Sequence, residues 1–582
     1  MRPFQSWIVA AALLAPVLPP AGAAARPAGA DTPAAGSEAA APSETRAGAP
    51  VPPAPAEHWY VLELGGRPAG WAVERWWRDG DRWITEAETS VRLSRGRQEI
   101  RIHRAGRFVE TSVGEPVSLW TRRTLGNTPV EATYRYGTRG VRTVTLQEGR
   151  ELRDVLSLPE GEWLTPAAAR RAVRRHHRAD AAAYRVRAVD PLEGFEPVRL
   201  TRTRLGPSEL PGGDGLWREE TSSTPGVVSR VDLDADGQVL RSTTEILGLD
   251  ATLRRTDRES ATAALESGPG PEVLLGTLVR PDRRLHHPDR LERAVYELSL
   301  APVAARTDDP VNARGEPDGG ASLPELPSEG AQHATRTAGG VRVTVAPGRG
   351  AHGPDSEEAE PSGGARPPAA LSPEARSRLL ASSPWLDHRD PEIRRLLERA
   401  LHADDHDQDG SPAAEPPRER PPDADPRPAE PAAPEATDPA RVRERARALE
   451  RFVHGHLARK DLGTGFATAS EVARTAAGDC TEHSVLLAAL LRAAGIPART
   501  VAGLVYLEEL AGARGVFGYH MWVQARVGRR WLDLDATLPG GFGPTHIALA
   551  TSELSGPEGV ADLERIVPLV GRLRVRVVET SP

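Results

Sequence analysis

From residue 58 onward, apolar and polar residues alternate in short runs separated by turns that contain glycine. Tyr60-Val61-Leu62-Glu63-Leu64, residues 71–77, Arg82-Trp83-Ile84-Thr85, residues 98–103 and residues 141–146 follow this period of two, and Arg78-Asp79-Gly80-Asp81 is one of the turns. Successive side chains of a strand point to opposite faces, so the pattern predicts an antiparallel β domain over residues 58–262. Six of the 12 tryptophans lie between Trp59 and Trp120, where core and cross-strand packing is the expected use of such rings. Runs at 273–279, 294–300 and 341–345 predict a small second β unit over 270–345, broken by a polar loop at 306–336.

The period becomes helical near residue 371. Helical patterns cover 373–382, 391–402 and 439–457, and a continuous apolar run covers 484–494. Gly478 precedes that run and Gly495-Ile496-Pro497 follows it, so the segment reads as one helix of about four turns that stops at Gly495. A strand is expected over 498–507, then a loop to Gly518. Residues 519–527 alternate strictly, with His520, Trp522, Gln524 and Arg526 on one face. Gly528-Arg529 suits a two-residue hairpin turn with Gly first, and Arg530-Trp531-Leu532-Asp533-Leu534-Asp535 is the returning strand. The fold class expected is α+β and multidomain: N-terminal antiparallel β domains, then an α+β domain over 371–582.

Residues 24–57 are Ala, Pro, Gly and Ser with almost no large apolar side chain, which predicts a disordered linker; 346–370 is a second linker, and 403–438 is a charged, proline-rich insertion. Arg2 leads into an apolar stretch at 7–18 that is too short to span a bilayer, and Ala21-Gly22-Ala23 supplies a small-residue cleavage site. Residues 1–23 therefore read as a signal peptide. The expected protein is exported, periplasmic or extracellular, with no integral membrane span after cleavage. Against 74 basic residues stand 81 acidic ones, a net charge of −7, which removes any general electrostatic case for nucleic acid. One cysteine in an exported chain cannot build an internal disulfide framework, so Cys480 is either an inert buried thiol or a nucleophile.

The setting of Cys480 favours chemistry. Asp479 can cap the helix and Glu482 can complete a capping box, which puts Cys480 at the first helical position, where the helix dipole stabilises a thiolate. Two adjacent carboxylates oppose that, so a cationic partner has to come from elsewhere. His520 is the one the hairpin offers. A register that pairs Val527 with Arg530 sets Gln524 opposite Asp533 and Trp522 opposite Asp535. Asp535 is then the diagonal neighbour of His520 on one face, roughly 7–8 Å away at the backbone. Asp533 is one step too far, and a slip of one residue would turn Asp535 to the other face. Cys480 as nucleophile, His520 as base and Asp535 as the group that holds the imidazole would form an acyl-transfer triad, with the Cys480 backbone N–H as one oxyanion donor.

Other readings are weaker. His483 lies three residues from Cys480 on the same helix face, but no carboxylate is placed to orient it, which favours a packing histidine. His454, His456 and His546 have no partner evident in the sequence and read as surface or packing residues. Asp232-Leu233-Asp234-Ala235-Asp236-Gly237 begins like a calcium loop, yet Thr243 stands at its twelfth position, and the flanking apolar residues suggest a hairpin; the run 405–410 fails similarly at Pro412 and Pro416. Cys480 and His483 lack a second ligand pair for zinc. No metal site is expected.

Gly478-Asp479-Cys480-Thr481-Glu482-His483 with its Leu-rich helix, Gly518-Tyr519-His520-Met521-Trp522, and Trp531-Leu532-Asp533-Leu534-Asp535-Ala536-Thr537 together resemble the bacterial transglutaminase-like proteins. Cysteine, histidine and aspartate follow in that family's order, 40 and then 15 residues apart, within a region covering about 440–555. Ala536 stands where the family often has proline, which affects the strand exit and leaves the acid in place. The resemblance implies a papain-like α+β core, a thioester intermediate and no metal or organic cofactor; the calcium of animal crosslinking members is not implied. It implies an exported thiol acyltransferase, peptidase or amidase acting on a protein or peptide substrate, which could belong to the cell envelope. The alternative is a non-catalytic envelope binding module that keeps the fold.

Overall fold

The computed structural model describes residues 55–582 apart from 96–97, 125–128, 148–149, 223–226, 247–248, 264, 266–267, 302–322, 348–369, 410–437, 459–466, 511, 556–565 and 567–568. The signal peptide expected at 1–23 lies outside the described residues, as do most of the linkers at 24–57 and 346–370 and of the insertion at 403–438.

The alternating runs form one antiparallel sheet of fourteen strands. Strands β1 (Ala56–Leu64), β2 (Arg67–Asp79), β3 (Arg82–Arg95), β4 (Gln98–Thr111), β5 (Pro116–Thr124), β6 (Val130–Gly137), β7 (Gly140–Gln147) and β8 (Arg150–Leu156) make a meander. Helix α1 (Pro166–Arg178) leads to a second one: β9 (Ala183–Ala188), β10 (Val198–Gly206), β11 (Gly215–Thr221), β12 (Val228–Leu233), β13 (Val239–Ile246) and β14 (Leu249–Thr256). Pairing of β14 with β1 joins the two. Helix α1 ties them together from one side. Arg170 reaches Glu74 of β2 and Thr85 of β3, while a Cβ at Gly237, between β12 and β13, would meet Val173 at 2.6 Å. The calcium-like run Asp232 to Gly237 is that β12–β13 hairpin: Asp234 Oδ1 accepts the backbone N–H of Asp236 and Gln238, and Oδ2 accepts Arg255.

After the short helix α2 (Arg258–Ala263) the small second sheet departs from expectation in two ways. Residues 273–279 hold a four-residue helix, α3 (Leu274–Thr277), and only Val279 bridges, to Phe517. Strands β15 (Arg293–Leu300), β16 (Gln332–Thr337) and β17 (Gly340–Val345) instead take their fourth member from the far end of the chain, β22 (Leu573–Ser581). Both edges of β15 are thereby occupied, by β17 and β22, and the outer edge of β22 is met by an isolated bridge from Pro281 to Val575.

The remaining elements build the α+β core. Helices α4 (Pro373–Leu379), α5 (Pro391–Asp409), α6 (Pro439–His456), α7 (Ala469–Thr475) and α8 (Cys480–Ala493) pack beside an antiparallel sheet. Its strands β18 (Ala498–Leu510), β19 (Ala513–Val527), β20 (Arg530–Leu534) and β21 (His546–Ser552) lie in the order β20-β19-β18-β21. The loop expected before Gly518 is mostly strand, because Phe517 is buried against Tyr296 and Tyr506 of neighbouring elements. The other calcium-like run begins inside α5. Every residue of α8 from Cys480 to Arg492 is buried, so this helix is apolar all round and sits between α5–α7 and the sheet. Burial of Leu486, Leu487, Leu490 and Leu491 contributes about 1.5–3 kcal/mol each. Among the described residues no helix is long and apolar enough to cross a membrane.

Candidate active site

The start of α8 is built by its own sequence. Asp479 Oδ1 accepts the N–H of Thr481 at 3.0 Å, and Glu482 Oε2 accepts the N–H of Asp479 at 3.0 Å, which closes the capping box. Gly478, at φ +150°, permits this: a Cβ there would stand 2.3 Å from Cβ of Glu482. Cys480 follows as the first helical residue, 1% exposed, and its Sγ accepts the backbone N–H of Met521 at 2.9 Å. The sulfur therefore lies against the peptide that joins His520 to Met521. His483 points elsewhere: its Nδ1 donates to the carbonyl of Asp479 at 2.6 Å in a fully buried setting, the packing role expected for it.

The hairpin has the expected register. Val527 pairs with Arg530 and Gln524 with Asp533, and Gly528 alone of the two turn residues has positive φ, +55°. The strand β20 ends at Leu534, and Asp535 begins a turn in which its Oδ1 accepts the N–H of Thr537 at 2.8 Å. Its Oδ2 then lies 2.8 Å from Nε2 of His520. Both side chains are buried. Burial would raise the Asp535 carboxyl, but the charges and hydrogen bonds of His520 and His546 prevail and hold it well below the usual carboxylate range.

Asp533 has a different setting. Trp522 Nε1 and Gln524 Nε2 donate to its Oδ1 at 3.0 and 2.8 Å, and the N–H of Ala331, on the loop before β16, donates to Oδ2 at 2.9 Å. Burial pushes its carboxyl up, and these three donors offset only part of that. It joins the small second sheet to the hairpin.

Three histidines have partners that the sequence did not disclose. His454 Nδ1 meets the carbonyl of Ala536 at 2.9 Å, and His456 Nε2 meets that of Ala473 at 3.1 Å. His546 departs furthest from expectation. It is 1% exposed, and its Nε2 lies 3.0 Å from Asp535 Oδ2, the oxygen that His520 also approaches. It arrives from β21, two strands away from β19, so local patterning could not reveal it. The turn residues Gly541 to Pro544, followed by a β-prone run, are the signal that could have located its strand. His520, Asp535 and His546 are also the one group among the described residues whose ligand atoms lie close enough to share a cation, all within 4.8 Å. Asp535 Oδ2 is at hydrogen-bond length from both ring nitrogens, the arrangement of two N–H donors on one acceptor.

Residues 429–536 match the model of the transglutaminase-like superfamily. Among solved structures, a beta-barrel-like protein of a domain of unknown function from Brucella abortus is 13% identical, over 36% of this chain and 98% of its own, with a TM-score of 0.27. A candidate cysteine protease from Cytophaga hutchinsonii is 13% identical over 50% of this chain and 86% of its own, with a TM-score of 0.22. A candidate protease from Parabacteroides distasonis is 12% identical over 79% and 68%, with a TM-score of 0.17. No curated protein matches the chain.

Proposed function

We propose that the C-terminal part of this chain, whose residues 429–536 match the model of the transglutaminase-like superfamily, is a thiol enzyme with the triad Cys480, His520 and Asp535. The observation that carries the reading is the 2.8 Å contact between His520 Nε2 and Asp535 Oδ2, on the strand whose next backbone N–H, that of Met521, donates to the Cys480 sulfur at a helix N-terminus. With Nε2 held by the carboxylate, Nδ1 is the nitrogen that takes the thiol proton. The helix dipole and the N–H of Met521 both favour the thiolate.

The sulfur attacks the carbon of an amide carbonyl, and the backbone N–H of Cys480, at the first helical position, donates to the oxyanion. The imidazolium then protonates the departing ammonia or amine, and a thioester remains. Water or a second amine, deprotonated by His520, attacks that thioester, and the thiolate leaves. Hydrolysis and transamidation differ only in this last nucleophile. The scheme uses no metal or organic cofactor. Export by residues 1–23 would direct the activity to protein or peptide substrates of the cell envelope, which fractionation of the expressing cell tests directly.

The decisive experiment compares the full chain with Cys480→Ala on glutamine-containing peptides and cell-wall peptides. Ammonia release and new amide bonds are measured together by mass spectrometry. Loss of both, along with loss of iodoacetamide labelling, is the expected result; turnover that persists without the sulfur rejects the mechanism.

A further inference from the structure

We infer that His546 is a positioning residue for this acid–base pair, an inference that rests on the triad reading above. Its imidazole meets the Asp535 oxygen already used by His520, at 3.0 Å against 2.8 Å. His546 Nδ1 faces Gly543, with the backbone nitrogen at 3.2 Å and the carbonyl oxygen at 3.1 Å. An ionised carboxylate oxygen only accepts, so Nε2 carries a proton toward Asp535, and in the neutral ring Nδ1 then takes the N–H of Gly543. The ring proton is left on Nε2, aimed at Asp535. Phe542 and Trp522, with ring centres 4.6 and 5.3 Å away, hold the ring in that orientation. Trp522 reaches it across β18 because Gly503 lies between: a Cβ there would meet the Trp522 ring at 2.6 Å.

Two N–H donors on one carboxylate oxygen divide its charge. His546 therefore keeps buried Asp535 ionised while weakening its grip on His520. Other groups face the same place. Asp533 of β20 acts on His546 electrostatically, Glu450 of α6 takes the backbone N–H of Asp535, His454 of α6 binds the carbonyl of Ala536, and the sulfur of Cys480 of α8 accepts the N–H of Met521, the residue after His520. Of these groups, His520 and His546 are the ones that meet Oδ2.

The test is a ring-¹⁵N titration of the full chain labelled at histidine, with His520 assigned by the spectrum of His520→Gln. In His546→Phe the His520 midpoint is expected to rise by about one pH unit. His546→Gln, whose amide keeps a donor at the Nε2 position, is expected to restore it to near the wild-type value. An unchanged midpoint in folded His546→Phe overturns the inference. If that variant does not fold, the wild-type spectrum decides, since a neutral His546 with its proton on Nδ1 overturns it equally. The triad reading fails separately, if His520→Gln alkylates at Cys480 as fast as wild type.

Discussion

The backbone N–H of Asp535 donates to Glu450 Oε1 at 2.6 Å, so a helix residue 85 positions earlier in the chain fixes the point where β20 ends. Glu450 is buried, and its other oxygen accepts Arg447 at 2.8 Å. Replacing it by alanine strands a buried N–H beside the Asp535 carboxyl. Glu450→Ala should lose about 1–3 kcal/mol in urea unfolding, and Glu450→Gln, which retains an acceptor, less than half of that. Equal losses for the two variants would show that the contact does not matter.

Asp535→Asn should show a pH signature. The carboxyl is held below its usual range, because His520 and His546 outweigh the opposing effect of burial. A group depressed on folding adds stability above its unfolded pKa, about 3.9, and loses it as pH falls through the folded value. Thermal melts should therefore place Asp535→Asn well below wild type at pH 7, with the gap narrowing as the medium becomes acidic. Asp533 follows the opposite trend, since burial pushes it up, but it is present in both proteins and cancels. A gap that stays constant down to strongly acidic pH contradicts the assignment.

The capped start of α8 and the β19–β20 register were legible in the sequence because each is decided within a few residues: Asp479 with Glu482, and Gly528 between two alternating strands. Asp535 could be preferred over Asp533 on that register alone. What escaped depends on partners far along the chain. Nothing near Leu573–Ser581 announces pairing with Arg293–Leu300, and nothing near His546 announces that β21 joins β18 and brings a second imidazole to Asp535. Val273 to Val279 misled because Leu274–Thr277 turns into a helix, and the chain reaches the open edge of β22 only at Pro281.

Gly478→Ala tests whether the capping box sets up the nucleophile. The new methyl would collide with Glu482, whose oxygens hold the N–H groups of Asp479 and Ala467. The strained φ of +150° adds to the cost. A loss of about 1–3 kcal/mol is expected, together with slower alkylation of Cys480 in the molecules that remain folded. Unaltered alkylation kinetics would mean that the cap serves stability alone.

At the other end of α8, Arg492 anchors the helix without touching the chemistry. Its guanidinium is buried and donates to the carbonyls of Ala381, Ala498 and Glu553, the first and last at 2.7 Å. Burial pushes its pKa down to about 10, with Glu553 opposing, so the charge persists through any neutral assay. Arg492→Met fills a similar volume and removes every donor, for which a loss of about 3–5 kcal/mol in urea unfolding is expected. Arg492→Lys keeps the charge, but a compact ammonium cannot span three carbonyls as a planar fork does, so it should recover less than half of the loss. Cys480 lies about 18 Å away along the helix axis, from the rise of 1.5 Å per residue. Its alkylation rate should therefore match wild type in both variants below their unfolding transitions. A rate that falls along with stability would show instead that the helix transmits strain from its last turn to its first.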